Sequence, residues 1–230
     1  MKQVQDWGDS RNKGFCVYCG GADETRDHVP SKAFLDEPLP QNLPLVPCCS
    51  ACNAAFALHE EYLSCLLECV VHGSVEVEEL PRERVRRSLR HSRGLHERLR
   101  QARREEAESI VWDFDAERVR TVLLKLARGH AAFELNEPQL AEPDVFWFKP
   151  LVLMAEGERS EFFDEPSIVS GWPEIGSRAF NRLFVAGEEA WQEGWLVVQE
   201  GRYRYLVTQE CGLRVRLVLR EYLACQAVWE

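Results

Sequence analysis

The chain has 230 residues, of which 45% are hydrophobic and 29% are charged. These values are typical of globular proteins and exclude disordered, collagen-like and coiled-coil chains. The formal net charge of −10 argues against a protein that coats nucleic acid through its overall field. No stretch approaches the roughly 20 apolar residues of a membrane span, and the N-terminus lacks the apolar core of a secretion signal. We therefore expect a soluble, cytoplasmic globular protein.

Two cysteine pairs with the same spacing are the first specific feature of the chain. Cys16 and Cys19 form one Cys-x-x-Cys pair, and Cys49 and Cys52 form another. Two such pairs can present four thiolates to one tetrahedral Zn²⁺ ion, and disulfides rarely persist in a cytosolic protein. The sequence therefore predicts a structural zinc site. Cys48 adjoins the second pair, but the spacing to Cys52 favours Cys49 as the ligand.

The other cysteines lie in apolar runs and are expected to be small buried residues: Cys65, Cys69, Cys211 and Cys225.

Four polar residues lie close to the cysteine pairs in the sequence: Asp27, His28, Asn42 and Asn53. Zinc held by four thiolates has no open coordination position, so any chemistry must come from residues such as these. Carboxylate and amide oxygens suit Mg²⁺, which binds few protein ligands together with water and phosphate oxygens. An imidazole such as that of His28 can take a proton from water near neutral pH. Taken singly, Asp27, Asn42 and Asn53 could equally be turn or cap residues.

The same residues resemble a known family. Cys16-x2-Cys19, Asp27-His28-Val29-Pro30, Asn42 and Cys49-x2-Cys52-Asn53 are similar in order and spacing to the zinc-containing branch of the HNH endonucleases, the ββα-metal superfamily. The chain looks most like bacterial HNH proteins that read DHVPxK, then NLxxVPxCxxCN, then an acidic EEY segment. The corresponding pieces here are DHVPSK, NLPLVPCCSACN and HEEY. The resemblance covers residues 14–70.

The resemblance implies a β-hairpin and a helix that hold one catalytic divalent ion, Mg²⁺ or Mn²⁺. His28 takes the position of the general base, and Asp27 and Asn53 take the positions of the metal ligands. Asn42 takes the position of the asparagine that fixes the loop and orients the histidine. The reaction that the resemblance implies is metal-assisted hydrolysis of a phosphodiester bond, which leaves a 5′ phosphate.

The chain departs from the family at one ligand position. Many HNH helices supply a second metal ligand one turn after the first, but that position is Ala57 here. Two protein ligands are acceptable for Mg²⁺, which keeps several waters. The expected helix spans Ser50 to Cys69. Glu60 and Glu61 return to its Asn53 face two turns later, where they would support the site or the fold. His59 lies on another face and is expected to be a partly exposed helix residue.

A basic segment follows. Residues 82–104 contain ten arginines and two glutamates in an otherwise acidic chain. An imperfect apolar stripe after Pro81 predicts a helix over residues 81–110. Its arginines either bind phosphates or form a solvated face that pairs with acids of the same chain. The candidate nucleic-acid contacts are Arg82, Arg86, Arg87, Arg90 and Arg93.

The remaining sequence predicts one helix and one sheet. Asp115 is the expected N-cap of a helix that continues to Phe133, with His130 facing the core. From Asp144 the sequence changes to short aromatic and β-branched runs separated by turns, which predicts a C-terminal antiparallel sheet. Its Trp and Tyr residues are expected to pack in the core rather than to stack on bases.

These patterns together predict an α+β protein. Residues 1–75 form the expected zinc-stabilised HNH module, and residues 76–230 form an accessory helical and β region. The expected function is a metal-dependent endonuclease that acts on DNA. Two alternatives stay open: a non-catalytic zinc-knuckle module that binds nucleic acid or protein, and a nuclease for RNA, which would use the same residues. A homodimer would suit the cutting of both strands, and a protein activator also stays open.

Overall fold

The computed structural model describes residues 14–40, 43–107, 109–164, 191–192, 194–209 and 212–230. In these ranges the chain is a mixed α+β protein with a C-terminal antiparallel sheet, as the sequence predicts. Its contacts form two compact units, one from the residues up to Ala54 and from Leu123 onward, the other from Ala55–Val122. The division between residues 75 and 76 rests on the motifs and stays a prediction. None of the described helices has the length and apolar character needed to cross a membrane.

The first unit begins with a short β-hairpin that leads into a helix. Strand β1 (Thr25–His28) pairs antiparallel with strand β2 (Leu45–Cys48), and helix α1 (Ser50–His72) follows at once. The helix starts at the predicted residue, Ser50, and continues three residues beyond the predicted end at Cys69. The order strand, strand, helix therefore occurs over the segment that carries the family resemblance.

An antiparallel sheet forms the C-terminal part of the first unit. Its strands are β5 (Val145–Pro150), β6 (Trp191–Gln192), β7 (Trp195–Gln199), β8 (Tyr203–Gln209), β9 (Leu213–Leu219) and β10 (Leu223–Trp229). The order across the sheet is β5-β10-β9-β8-β7-β6. Strands β5 and β7–β10 coincide with the aromatic and β-branched runs of the sequence, so the predicted sheet is confirmed.

Helix α5 (Glu156–Phe163) packs on this sheet. Phe162 is buried against Trp195, with ring centroids 5.5 Å apart. The buried Arg216 of β9 donates from Nη1 to the carbonyl oxygens of Phe162 and Asp164, at 3.1 and 3.0 Å. These carbonyls lie at the C-terminal end of the helix, where backbone C=O groups have no N–H partner within the helix. A buried arginine therefore caps α5.

Helix α4 (Ala116–Leu135) places polar side chains in the core of the first unit. His130 Nε2 lies 2.9 Å from the Tyr203 hydroxyl oxygen, and the His130 ring stacks on Tyr205 with centroids 3.7 Å apart. The Tyr205 hydroxyl donates to the carboxylate of Glu134, one turn after His130. All four side chains are at most 1% exposed, as expected for a core-facing His130. The helix is thus held to β8 by hydrogen bonds inside the core.

The second unit contains two short helices and a hairpin after the remainder of α1. The helices are α2 (Glu83–His91) and α3 (Arg93–Ala102), and β3 (Arg103–Glu106) pairs antiparallel with β4 (Ser109–Trp112). The predicted helical structure of residues 81–110 is therefore confirmed for Glu83–His91 and Arg93–Ala102, which form two helices and not one, and it is wrong beyond Ala102, where the hairpin begins.

The apolar spacing explains the break in that helix. Leu89 and Leu95 are six residues apart, which turns an α-helix by about 240°, so the two leucines cannot share one helix face. Ser92 and Gly94, between them, are weak helix formers. The two helices each bury one leucine, Leu89 of α2 and Leu99 of α3.

A buried charge cluster lies within the second unit. Glu68 of α1 is 0% exposed, and its carboxylate lies 3.9 Å from the Arg82 guanidinium and 3.4 Å from His72. Arg82 also donates to the Ser64 hydroxyl at 3.3 Å. Buried charges are retained when they are paired and hydrogen-bonded, so Arg82 belongs to the core of this unit.

The N-cap predicted for α4 is confirmed. The Asp115 carboxylate accepts from the backbone N–H of Arg118 at 3.2 Å, which satisfies one of the free donors in the first helical turn. The backbone N–H of Asp115 in turn donates to the Tyr62 hydroxyl at 2.9 Å.

Candidate functional site

The four paired cysteines meet at one point. The Sγ atoms of Cys16, Cys19, Cys49 and Cys52 all lie within 4.8 Å of one another, and those of Cys19 and Cys49 are 3.7 Å apart. A tetrahedral zinc ion with Zn–S bonds of about 2.3 Å places its sulfur ligands about 3.8 Å apart. The four thiols could therefore hold a metal ion such as zinc. The group contains Cys49 rather than its neighbour Cys48, as the spacing predicts.

Tight turns bring the first pair of thiols together. The backbone N–H of Gly20 donates to the carbonyl of Cys16 at 2.8 Å, and the N–H of Cys16 donates to the carbonyl of Gly21 at 2.6 Å. Gly20 has a φ of +75°, a conformation that glycine adopts without strain. On the second pair, the backbone N–H of Cys52 points at Cys49 Sγ, 3.3 Å away.

The surroundings of the thiols favour a thiolate at Cys16. Burial acts to raise the pKa of this thiol, but backbone N–H groups, first that of Cys49 and then those of Tyr18 and Cys19, lower the pKa to about 7. Burial raises the pKa of the Cys48 thiol to about 12, and this thiol donates to the Cys49 carbonyl oxygen. A metal binds the thiolate form, which the hydrogen bonds favour at Cys16. Burial also raises the pKa of the Cys52 thiol, so the convergence of the four Sγ atoms, and not the pKa, separates the candidate ligands from Cys48.

The Asp27 carboxylate contacts two buried hydrogen-bond donors. Its side chain is buried, and its Oδ2 accepts a hydrogen bond from the Tyr18 hydroxyl at 2.6 Å. The same oxygen lies 2.6 Å from Nζ of Lys125, whose side chain is 1% exposed. Lys125 belongs to the part of α4 that lies in the first unit. The predicted metal ligand therefore carries an ion pair and a hydrogen bond on one of its two oxygens.

His28 is half-buried at the end of β1. Burial is the largest effect on its imidazole and lowers its pKa, and the ammonium of Lys32 lowers it further, against the opposite effect of Asp27. A lowered pKa keeps the ring neutral near pH 7, which is the form that can accept a proton. As successive strand residues, Asp27 and His28 project from opposite faces of β1.

Asn53 lies on the Asp27 side of the hairpin. It belongs to the first turn of α1, and its Nδ2 lies 3.4 Å from the Thr25 hydroxyl oxygen. Thr25 and Asp27 are two residues apart on β1 and share a strand face. The helix thus brings Asn53 to the face that carries Asp27. Asn42, the fourth predicted residue, lies outside the described residues.

In the part of the chain that the structure describes, two side chains are candidate protein ligands of a catalytic divalent ion. Ala57, one turn after Asn53, offers no ligand atom. Among the described residues, the four cysteines are the one group of three or more His, Cys, Asp or Glu side chains whose ligand atoms converge. Oδ1 of Asp27 and the amide oxygen of Asn53 remain as candidate ligands, which is a small donor set that fits only an ion that keeps several waters.

The candidate nucleic-acid arginines do not share one environment. Arg82 is buried with Glu68 and Ser64, and its side chain is 5% exposed. Arg86 and Arg90 form ion pairs of 2.6 and 2.8 Å with glutamates of the same unit. Arg87 and Arg93 are exposed and have no ion pair among the described residues. Most of this set thus fits the alternative of pairing within the chain.

Sequence reasoning missed two residues of the site, Tyr18 and Lys125. Tyr18 lies between two zinc-ligand candidates, where the cysteine pattern draws attention away from it. Lys125 stands beside Val122 and Leu126 in the apolar pattern of α4. A lysine at the edge of a buried helix stripe is a signal that it has an acidic partner, because an unpaired buried ammonium is costly. The sequence does not indicate which acid that is.

In comparisons with protein-family models, with curated proteins and with solved structures, no match to this chain is found. A four-cysteine group occurs in many unrelated proteins and does not by itself identify an HNH endonuclease. The resemblance to that family therefore rests on the motif residues.

Proposed function

We propose that this chain is a metal-dependent endonuclease of the HNH type that hydrolyses phosphodiester bonds of DNA. The observation that carries the proposal is the hairpin and helix of residues 25–72, in which β1 ends at His28 and α1 brings Asn53 to the strand face of Asp27. The cysteine group, which could hold a structural zinc ion, would fix the hairpin to the start of the helix.

The proposed roles follow from the chemistry of each side chain. His28, with its lowered pKa, accepts a proton from the attacking water. Because His28 and Asp27 project from opposite faces of β1, this role requires the water to lie at the edge of the site, where the strand ends. Asp27 and Asn53 offer one oxygen each to a Mg²⁺ or Mn²⁺ ion. When bound, this ion would stabilise the negative charge that develops on the leaving 3′ oxygen. A zinc ion held by the four thiolates would have no open position and would take no part in the chemistry.

One observation favours the rival function, a non-catalytic zinc-knuckle module. Oδ2 of Asp27 is already engaged by Tyr18 and Lys125, as it would be in a carboxylate retained only for the fold. The exposed Arg87 and Arg93 fit either function, because both could include contact with nucleic acid.

Plasmid cleavage separates these functions. Supercoiled DNA is incubated with the purified protein and Mg²⁺ or Mn²⁺, with and without EDTA. We expect nicking that EDTA abolishes and that His28→Ala reduces by about 10²-fold or more, since general bases contribute 10²–10⁴-fold. The matched control is His91→Ala, which removes an exposed histidine of α2 and should cleave like the wild type. Equal cleavage by His28→Ala and the wild type would contradict the assignment.

The substrate class is tested in the same assay. A DNA and an RNA of the same sequence are offered in equal amounts, because the proposed chemistry does not involve the 2′ hydroxyl. Faster cleavage of DNA supports the proposal, and cleavage of RNA alone would replace it with the RNA nuclease. An absence of cleavage of either substrate, with zinc bound and the fold intact, would favour the binding module.

A further inference from the structure

The surroundings of Asp27 contain a second positive group besides the proposed metal ion. The ammonium of Lys125 lies 2.6 Å from Oδ2, and its side chain is 1% exposed. Nζ also lies 5.9 Å from the centroid of the Tyr18 ring, and the hydroxyl of that ring donates to the same Oδ2. Tyr18 therefore contacts both members of the ion pair, and the three side chains form one buried group.

A divalent ion at Asp27 would lie close to this ammonium. An ion about 2.1 Å from Oδ1 would lie within roughly 7 Å of Nζ, and two positive charges at that separation repel each other. Solvent ions screen buried charges weakly, so the repulsion persists at ordinary salt concentrations. The ammonium also uses a carboxylate oxygen that a metal could otherwise share.

We infer that Lys125 is an internal cation of this site, which neutralises Asp27 when no divalent ion is bound and so lowers the affinity of the free protein for that ion. The inference rests on the proposed role of Asp27 as a metal ligand. Phosphate oxygens of a bound nucleic acid would supply further ligands to the ion, which would then bind firmly only together with substrate. Lys125 is then a positioning residue that links metal binding to nucleic-acid binding.

A purely structural role for Lys125 leads to a different expectation. A lysine that only fills space beside Asp27 would leave metal affinity unchanged when a methionine of similar length replaces it. An internal cation would oppose a metal ion until it is removed. Metal binding by the protein without nucleic acid therefore separates the two roles, and cleavage is not needed for the measurement.

The experiment measures Mn²⁺ binding to the zinc-loaded protein without nucleic acid, from the EPR signal of free Mn²⁺. We expect Lys125→Met to bind Mn²⁺ roughly tenfold or more tightly than the wild type. Asp27→Asn in the Lys125→Met background should abolish that gain. The matched control is Lys149→Met, which breaks an exposed ion pair with Glu158 and should leave Mn²⁺ affinity unchanged. An affinity of Lys125→Met equal to that of the wild type would overturn the inference.

A second variant keeps the test informative if Lys125→Met does not fold. Lys125→Gln also removes the positive charge but keeps a side-chain amide that can donate to Asp27, so it should raise Mn²⁺ affinity in the same direction. With that variant, unchanged affinity overturns the inference. Tighter Mn²⁺ binding by the variants, with no cleavage by the wild type, would support the role of Lys125 while counting against the nuclease function. Cleavage by the wild type with unchanged variant affinities would do the reverse.

Discussion

Replacement of Gly129 by alanine should destabilise the protein, although the same change stabilises most helices. Gly129 lies inside α4, where alanine is favoured over glycine by about 1 kcal/mol. A Cβ at this position would lie 2.6 and 3.0 Å from the two methyl carbons of Val29 and 3.1 Å from the Tyr18 hydroxyl oxygen. Carbon atoms in good contact are about 3.5–4.0 Å apart, so Val29 or the helix must move.

The magnitude follows from these two opposing effects. Val29 is 0% exposed and has no solvent into which to move, and overpacking of such a site costs about 1–3 kcal/mol. After subtraction of the helix preference, we expect Gly129→Ala to lower the free energy of unfolding by up to about 2 kcal/mol. The measurement is equilibrium urea unfolding followed by far-ultraviolet circular dichroism.

The matched control is Gly94→Ala. Gly94 is a helical residue of α3, and a Cβ there would meet no atom within 4 Å, so we expect a gain of up to about 1 kcal/mol. The reasoning is refuted if Gly129→Ala stabilises the protein as much as Gly94→Ala does. Such a result would mean that Val29 and Tyr18 are not held against the helix.

Three further predictions concern the metal group and the buried polar contacts. Cys49→Ala should lose the zinc ion and lower the melting temperature, measured by metal analysis and thermal unfolding, because three thiolates remain of a four-ligand group. Arg82→Met should lower the free energy of unfolding by about 3–5 kcal/mol, measured in urea, because Glu68 keeps a buried charge without this partner. Tyr205→Phe should lower it by about 1–3 kcal/mol, because Glu134 loses a buried donor.

Each of the three has a control of the same residue type. Cys65→Ala changes a buried cysteine outside the metal group, and equal zinc content in Cys49→Ala and Cys65→Ala would exclude the proposed ligand. Arg93→Met changes an exposed arginine and should stay within about 0.5 kcal/mol of the wild type, so a similar loss in Arg82→Met and Arg93→Met would count against the buried pair. Tyr222→Phe removes the hydroxyl of a half-buried tyrosine that does not contact Glu134, and a similar loss of stability in Tyr205→Phe and Tyr222→Phe would count against the Glu134 contact.

Strong local patterns made much of the fold predictable. The start of α1, the cap at Asp115 and the C-terminal strands all follow from residues that act on their own neighbours. The β3–β4 hairpin was not predictable, because Arg103–Glu106 carries no β-branched or aromatic residue and its pairing with Ser109–Trp112 overrides weak local preferences.

The candidate site was predictable only where its residues share a motif. The spacing of the cysteines is enough to predict that their sulfur atoms meet. The ion pair of Asp27 with Lys125 joins residues 98 positions apart in the chain, and no local pattern encodes such a contact. The burial of Arg82 was missed in the same way. An arginine in a basic segment is expected to be exposed unless its partner, here Glu68, is known.

The second half of α4 packs against two other parts of the first unit. Lys125 and Gly129 contact the hairpin that carries the motif, and His130 and Glu134 contact β8 of the sheet. A fragment of residues 1–75 would keep every residue of the family resemblance but would lack α4, so Asp27 would become exposed to water. The motif residues lie close together in the sequence, but the residues that bury Asp27 do not. Transplanting the motif into another chain would therefore transfer the candidate metal ligands without Lys125, the buried ammonium that pairs with Asp27.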